Sequence, residues 1–463
     1  MVNELQTVRD RAVRIEAAPE RERRVSSHAG LGLIQKAARL TRLVSDAREQ
    51  LAARKDPTQG FETAAVVLAL IHGLLRGGEG WSATEPMRGD AGLLEALGLK
   101  VAPSAETVEE VVKYLALERD GREQANALLG LQARRCVERD GRSALLACDG
   151  FVPLWADGTL LEITGQTFDS VKTIKGRRGQ MAVGAFVGPW AAGLDFAVGS
   201  EGEETVGRRL VSAGIERVLR PARLMGDALI LLDSLYGDGP TFDQLDRYVE
   251  KPKYVVGVSK LLAAHEQLRD AAECQWRDTG PQPSRGWIES GVGQFWLRAR
   301  DWSVNRVMVG RRWRVEGEMI WNYAGVVTNL TADDERVARL MRARRWTFEQ
   351  AVWHLYSHKA GMENQWKDLL SDLELHHPPC AKAAVNAVFY ALAGLAYNLS
   401  LAVRRWGLEG PSRRMRLWRL RSEVLAVAGY AVHHARTVVL RLVDARDHLV
   451  DQLLAAMGRL ARL

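Results

Sequence analysis

The sequence predicts an α/β protein: a core with a mixed sheet, interrupted by a β-rich insertion and flanked by helical regions at both ends. Three observations predict it. Apolar residues recur at helical spacing from Leu31 to about Arg135, and short apolar runs separated by glycines take over at Ser143. Six of the fourteen tryptophans then fall between Lys260 and Arg345, in segments that alternate apolar and charged residues. At 463 residues the chain is long enough to bury more than one core.

Taken in order, residues 1–30 are charged, with a basic run at Arg21, Arg23 and Arg24, and read as a mobile arm. Residues 31–140 form a helical domain, either scaffold or DNA-binding. Leu33, Ala37, Leu40 and Val44 share one helical face, and Ser104 with Glu106 marks a helix start. Residues 141–259 hold the first part of the core. Strands are expected at Ser143–Cys148, Phe151–Ala156 with Leu160–Thr164, Met181–Val187 and Leu194–Val198, followed by a helix from Glu204 to Leu219. Ala228–Leu232 is a continuous apolar run, the pattern of a strand covered on both faces, and Asp233 ends it. A helix over Pro240–Glu250 and a strand over Tyr254–Ser259 follow.

Residues 260–345 are the tryptophan-rich β insertion, with Gln294–Arg300 and Arg314–Trp321 as its clearest strands. Residues 346–378 supply one long helix beginning at Thr347, and residues 379–463 a basic helical region with two apolar stretches, Ala381–Trp406 and about Arg416–Leu463. The run Ala383–Val403 carries no charge and could span a bilayer by length. Asn386, Tyr390, Asn398 and Ser400 within it suit a buried core helix instead.

Hydrophobic content of 47% and charged content of 26% are those of an ordinary folded domain. A net charge of +7 is compatible with a nucleic-acid partner. The densest positive patch holds seven arginines between 404 and 421, among them Arg413, Arg414 and Arg416, against the single acid Glu409. It reads as a phosphate-backbone contact or as a solvated loop between helices. Cys136, Cys148, Cys274 and Cys380 lack metal-type spacing, and Met1–Arg24 lacks the pattern of a secretory leader. A reduced, cytoplasmic chain with no membrane partner is expected.

Chemistry is concentrated in the acids. A site that cleaves phosphodiesters with two divalent ions needs carboxylates converging from separate elements. Asp157 lies in the first strand pair, and Asp233 ends a buried strand, where an ionised acid is costly unless paired or metal-bound. On the late helix, Tyr356, Lys359, Glu363 and Lys367 fall on one face at 100° per residue. That face suits a metal-and-phosphate site or a salt-bridged solvated surface. Asp149, Glu162, Asp227 and Asp238 are rival acids. Strand, strand end and helix are together the arrangement of a ribonuclease H-like metal nuclease.

The series Asp157-Gly-Thr, Glu162-Ile-Thr-Gly165, Leu232-Asp-Ser-Leu-Tyr-Gly237 and Tyr356-x2-Lys-x3-Glu363 resembles the DDE transposases of bacterial insertion sequences. It is most similar to the insertion-sequence-4 superfamily and its insertion-sequence-1380 group. Leu395-Ala-Tyr-Asn-Leu399 adds to the likeness, which runs from about Leu31 to Leu442. The resemblance implies a ribonuclease H-like core with its insertion between the second Asp and the Glu. It implies Asp157, Asp233 and Glu363 as catalytic ligands of two Mg2+ or Mn2+ ions, and Tyr356 and Lys359 as phosphate contacts. It implies double-stranded DNA, terminal repeats and target, as the partner, and a homodimeric synaptic complex. Trp296, Trp313 and Trp321 become candidates for DNA contact, beside the alternative of strand packing. Two departures stand out. Lysine occupies position 359, where the family motif usually has arginine, and Leu370 replaces a lysine, leaving Lys367 as the nearest substitute.

Overall fold

A computed structural model of the chain describes residues 25–52, 60–117, 120–434, 437–443 and 447–463. Strand β1 (Val25–Ser26) precedes six helices: α1 (Leu31–Leu40), α2 (Leu43–Gln50), α3 (Thr63–Arg76), α4 (Ala91–Leu97), α5 (Ala105–Leu117) and α6 (Gly121–Asp140). Helix α5 begins where the sequence places it, because the Ser104 hydroxyl accepts from the Thr107 amide at 3.2 Å.

The core follows. The expected strand over Ser143–Cys148 is instead a short helix, α7 (Arg142–Leu145). Strands β2 (Val152–Glu162), β3 (Val171–Ile174), β4 (Arg177–Val187) and β5 (Trp190–Phe196) are antiparallel but are not the simple meander that the sequence order suggests: β4 pairs with β2 along one edge and with both β3 and β5 along the other. Helix α8 (Glu203–Gly214) leads to β6 (Ala228–Leu232), and α9 (Gly239–Asp246) leads to β7 (Lys253–Gly257). Both β6 and β7 join the sheet in parallel, giving the order β5-β4-β2-β6-β7. All five residues of β6 are buried, which is why its sequence shows no alternation.

The insertion is an extension of this sheet. After α10 (Leu262–Asp270) come β8 (Arg277–Asp278), β9 (Trp287–Leu297), β10 (Arg306–Val315) and β11 (Asn322–Thr328). β11 pairs antiparallel with β7, so a single mixed sheet of ten strands runs through core and insertion. The strand expected over Arg314–Trp321 ends at Val315, and residues 316–321 turn instead.

Helix α11 (Glu335–Arg344) precedes the late helix, which is not continuous. It is α12 (Phe348–Ser357), a 3-10 turn over His358–Gly361, and α13 (Met362–Lys367). A capping box of Thr347 and Gln350 starts α12. Beyond lie α14 (Ala383–Ala402) and α15 (Leu417–Leu420). The all-helical C-terminus expected from 416 onward is replaced in part by a hairpin, β12 (Gly429–His434) with β13 (Thr437–Leu442), before α16 (Asp447–Ala461). β12 also pairs with β1, so Val25 and Ser26 of the expected arm are fixed in a sheet, while residues 1–24 lie outside the described residues.

Helix α14 explains its own polar residues. Its long apolar window is 89% buried inside the protein, packed on β5 and α6. Asn398 accepts from the Ala191 amide and donates to the Ala191 carbonyl, both at 2.9 Å, close to the register shift between β4 and β5. Asn386 donates to Gln180 at 2.8 Å and accepts from the Cys380 amide. Replacing Asn398 by Leu strands two buried backbone groups at about 1–3 kcal/mol each. Chemical denaturation is therefore expected to show a loss of about 2–6 kcal/mol, and a loss under ~1 kcal/mol would mean that water replaces the amide.

Candidate active site

The parallel register Ala156↔Leu232 sets the next residue of each strand, Asp157 and Asp233, side by side at the C-terminal end of the β2/β6 pair. Asp157 accepts from the Gly158 amide at 3.1 Å, and Asp233 from the Leu235 amide at 2.8 Å, which fixes both carboxylates. The 3-10 turn after α12 brings Lys359 onto this pair: its ammonium lies 3.0 Å from the Asp157 carboxylate. Burial pushes the Asp157 pKa up, Lys359 pulls against that, and Asp233 adds to the rise.

Tyr356, in the last turn of α12, reaches the same place. A Cβ on Gly257, at the end of β7, would stand 2.7 Å from its hydroxyl, so glycine is what admits the phenol. Burial and the charges of Asp233 and Asp157 push the tyrosine pKa up, keeping the hydroxyl a proton donor. Trp353 holds the ring edge-on at 5.7 Å. Glu363 falls in the first turn of α13, and its side chain lies outside the described residues. Lys367 is exposed at the far end of that helix.

A carboxylate the sequence reading passed over joins the pair. Glu203, first residue of α8, packs its carboxyl against Gly158, leaving no room for a Cβ there. Burial, then the charges of Asp233 and Asp157, push its pKa up to about 7. Its only sequence signal is an acid at a helix start, ordinarily explained by the helix dipole. Asp233 and Glu203 have no ion-pair partner among the described residues, and the buried Tyr236 hydroxyl near them has no hydrogen-bond partner. Carboxylate oxygens of this kind are the donors a hard divalent cation takes, with Lys359 the one cation paired to Asp157 among the described residues.

The rival acids are held elsewhere. Asp227 pairs with Arg142 and Arg336, Glu162 with Arg177 at 3.1 Å, and Asp238 with Arg208 at 2.6 Å while capping α9. Asp149 lies 2.9 Å from the Nε2 atoms of both His354 and His358, tying α12 to the turn before β2. These three side chains could themselves hold a metal ion.

The basic patch is mostly occupied. Arg416 pairs with Asp372 at 2.8 Å, Arg404 with Asp368 at 3.2 Å, and Arg405 with Asp140 at 2.8 Å. Arg413 donates to the Arg405 carbonyl, and Arg419 pairs with Glu423. Arg414 lines a cavity of about 310 Å³ with Lys367 and Arg416. Of the tryptophan candidates, Trp296 is 65% exposed. Trp313 stacks on Trp287 with centroids 5.0 Å apart, and Trp321 lies under Arg312 and Arg314, so both pack within the insertion.

No curated protein matches the chain. Among solved structures it is similar to a piggyBac transposase synaptic complex with hairpin DNA, seen by cryo-electron microscopy. The TM-score is 0.37 and the identity 11%, over 86% of this chain and 80% of that one. The family described as transposase DDE domain group 1 matches residues 207–463, a span that contains Asp233, Tyr356, Lys359 and Glu363 and begins after Asp157. That span is more than half of the sequence, and the chain belongs to the DDE transposase family.

Proposed function

We propose that this transposase cuts DNA at the terminal inverted repeats of a mobile element and joins the freed 3′ ends to target DNA, using Asp157, Asp233 and Glu363 as metal ligands. The observation that carries the reading is the in-register β2/β6 pair, which sets two aspartates side by side under Lys359 and Tyr356. The sheet order β5-β4-β2-β6-β7, antiparallel then parallel, supports a ribonuclease H-like core. The motif series supports membership of the insertion-sequence-4 superfamily, insertion-sequence-1380 group, and with it a bacterial, cytoplasmic enzyme acting as a homodimer on synapsed ends.

Two magnesium or manganese ions, when bound, supply Lewis-acid assistance to nucleophile and leaving oxygen. The protein's own share is positioning and charge. Asp157 and Asp233 are fixed by backbone amides before any substrate arrives, so the site is preorganised. Lys359 neutralises Asp157 and stands where a substrate phosphate would draw its ammonium, while the Tyr356 hydroxyl donates to a phosphate oxygen.

Strand-transfer assays with terminal-repeat DNA and Mg2+ or Mn2+ test this. Joined product is expected; cleavage without joining points to a nuclease, and binding alone to a DNA-binding relic. Lys359→Ala is expected to lower cleavage about 100-fold, the loss typical of one preorganised donor. Lys359→Arg, with a bidentate fork, should retain or exceed the parent rate. Full activity in Lys359→Ala would remove the lysine from the phosphate-gripping role.

A further inference from the structure

A second arginine-lined recess opens beside the acids. Arg311, on β10, projects among three indoles, with its guanidinium carbon 4.1 Å from the ring centre of Trp353, 4.7 Å from Trp287 and 5.5 Å from Trp313. Its Nε is buried and has no hydrogen-bond partner, and no carboxylate pairs with it among the described residues. That sets it apart from its neighbours on the strand, Arg312 and Arg314, which pair with Glu273 and Glu289. Arg285, from the turn before β9, also lies over the Trp287 ring at 5.0 Å and likewise pairs with no acid among the described residues. Both arginines line a cavity of about 350 Å³ with Asp157, Tyr356 and Lys359.

A half-buried guanidinium with its Nε unpartnered and no counter-ion is costly, and cation–π contact offsets only part of that cost. Here burial, with the charge of Arg285 adding to it, pulls the Arg311 pKa down to about 10. An anion is what the recess lacks. Each of the three indoles already has a guanidinium against it, so the chemistry the recess adds is that of the guanidinium fork.

We infer that Arg311 and Arg285 form a phosphodiester-binding pocket, contributed by the β insertion, that holds a DNA backbone phosphate neighbouring the one at Asp157 and Asp233. The inference rests on the DNA-cleaving reading for the identity of its ligand. It assigns the insertion a direct part in seating the substrate: the fork of Arg311 takes two phosphate oxygens, and its tryptophan cage fixes its direction.

The test uses the full chain carrying Asp157→Asn, so that DNA is bound but not cut, and two probes: inorganic phosphate and a short duplex of arbitrary sequence. Because Trp287, Trp313 and Trp353 flank Arg311, phosphate should change tryptophan emission, and Arg311→Gln should abolish the change. Arg311→Gln should also weaken duplex binding roughly tenfold or more and lower the salt slope by about one. Arg311→Lys should restore the slope but not the affinity. If Arg311→Gln disturbs folding, the exposed Arg285→Gln is expected to show the same direction with a smaller loss. A duplex bound with unchanged affinity and slope by a folded Arg311→Gln protein overturns the pocket and leaves the DNA reading standing. Phosphate binding that Arg311→Gln abolishes, with no affinity for duplex in the parent, keeps the pocket and overturns the DNA reading.

Discussion

Asp157→Asn and Asp233→Asn are each expected to lower DNA cleavage by more than the 10–100-fold that loss of an outer-shell partner costs at a metal site. The amides keep the shape and the hydrogen bonds from Gly158 and Leu235. What they remove is charge. A hard divalent cation is bound chiefly by anionic oxygen, so each substitution should weaken metal affinity as well as rate. The two variants should differ in one respect. Asp157→Asn also deprives Lys359 of its ion pair, leaving a partly buried ammonium whose other contact would be substrate phosphate. Duplex binding without metal should therefore be retained or strengthened in Asp157→Asn, and should change little in Asp233→Asn. Cleavage at parental rate in either variant would dislodge the site. Equal metal affinity with lost cleavage would instead make the aspartate a proton-transfer group.

Much of this site was legible because its signals are local. The run Ala228–Leu232 has the pattern of a strand covered on both faces, and Asp233 at its end is conspicuous for the same reason. Spacing places Tyr356, Lys359, Glu363 and Lys367 on one helical face, although a constant 100° periodicity cannot see that the helix changes pitch over His358–Gly361. What was missed depends on residues far apart in sequence. The arginines from 404 to 421 look unpaired when charges are counted locally, yet Asp140, Asp368 and Asp372 come from other elements to meet them. The segment that forms the β12/β13 hairpin reads as helix in the sequence because no glycine or proline stands between Val432 and Val438 to announce a turn. Glu203 has a conventional local explanation. Only the fold reveals that the residue beside Asp157 is a glycine because a carboxyl lies against it.

Glu203 gives the second large effect, in stability rather than rate. Its carboxyl, pushed up to about 7 by burial and by Asp233 and Asp157, holds its proton in the folded protein long after an unfolded glutamic acid has lost it. Between roughly pH 4.5 and 7 the unfolded state therefore binds fewer protons, and the stability contributed by this group is lost as pH rises, levelling off above 7. Glu203→Gln removes that dependence. Metal-free variant and parent should agree near pH 4, while at pH 8 the variant should be more stable by about 2–3 kcal/mol. Taking the difference cancels groups common to both, including His28 and His72. Those imidazoles, lowered to about 4, oppose the trend by adding stability as pH rises from 4 to 6.5. Divalent cation should reverse the order, because a metal held by Asp157 and Asp233 favours ionised Glu203. With saturating Mn2+ the parent should gain stability by mass action while Glu203→Gln gains less. Guanidinium titrations at pH 4 and 8, with and without Mn2+, separate the alternatives. A variant that tracks the parent at both pH values and responds equally to metal would show that Glu203 lies outside the acidic site's electrostatic field. A pH-dependent difference that Mn2+ leaves untouched would place it in the field but make it no part of the metal's surroundings.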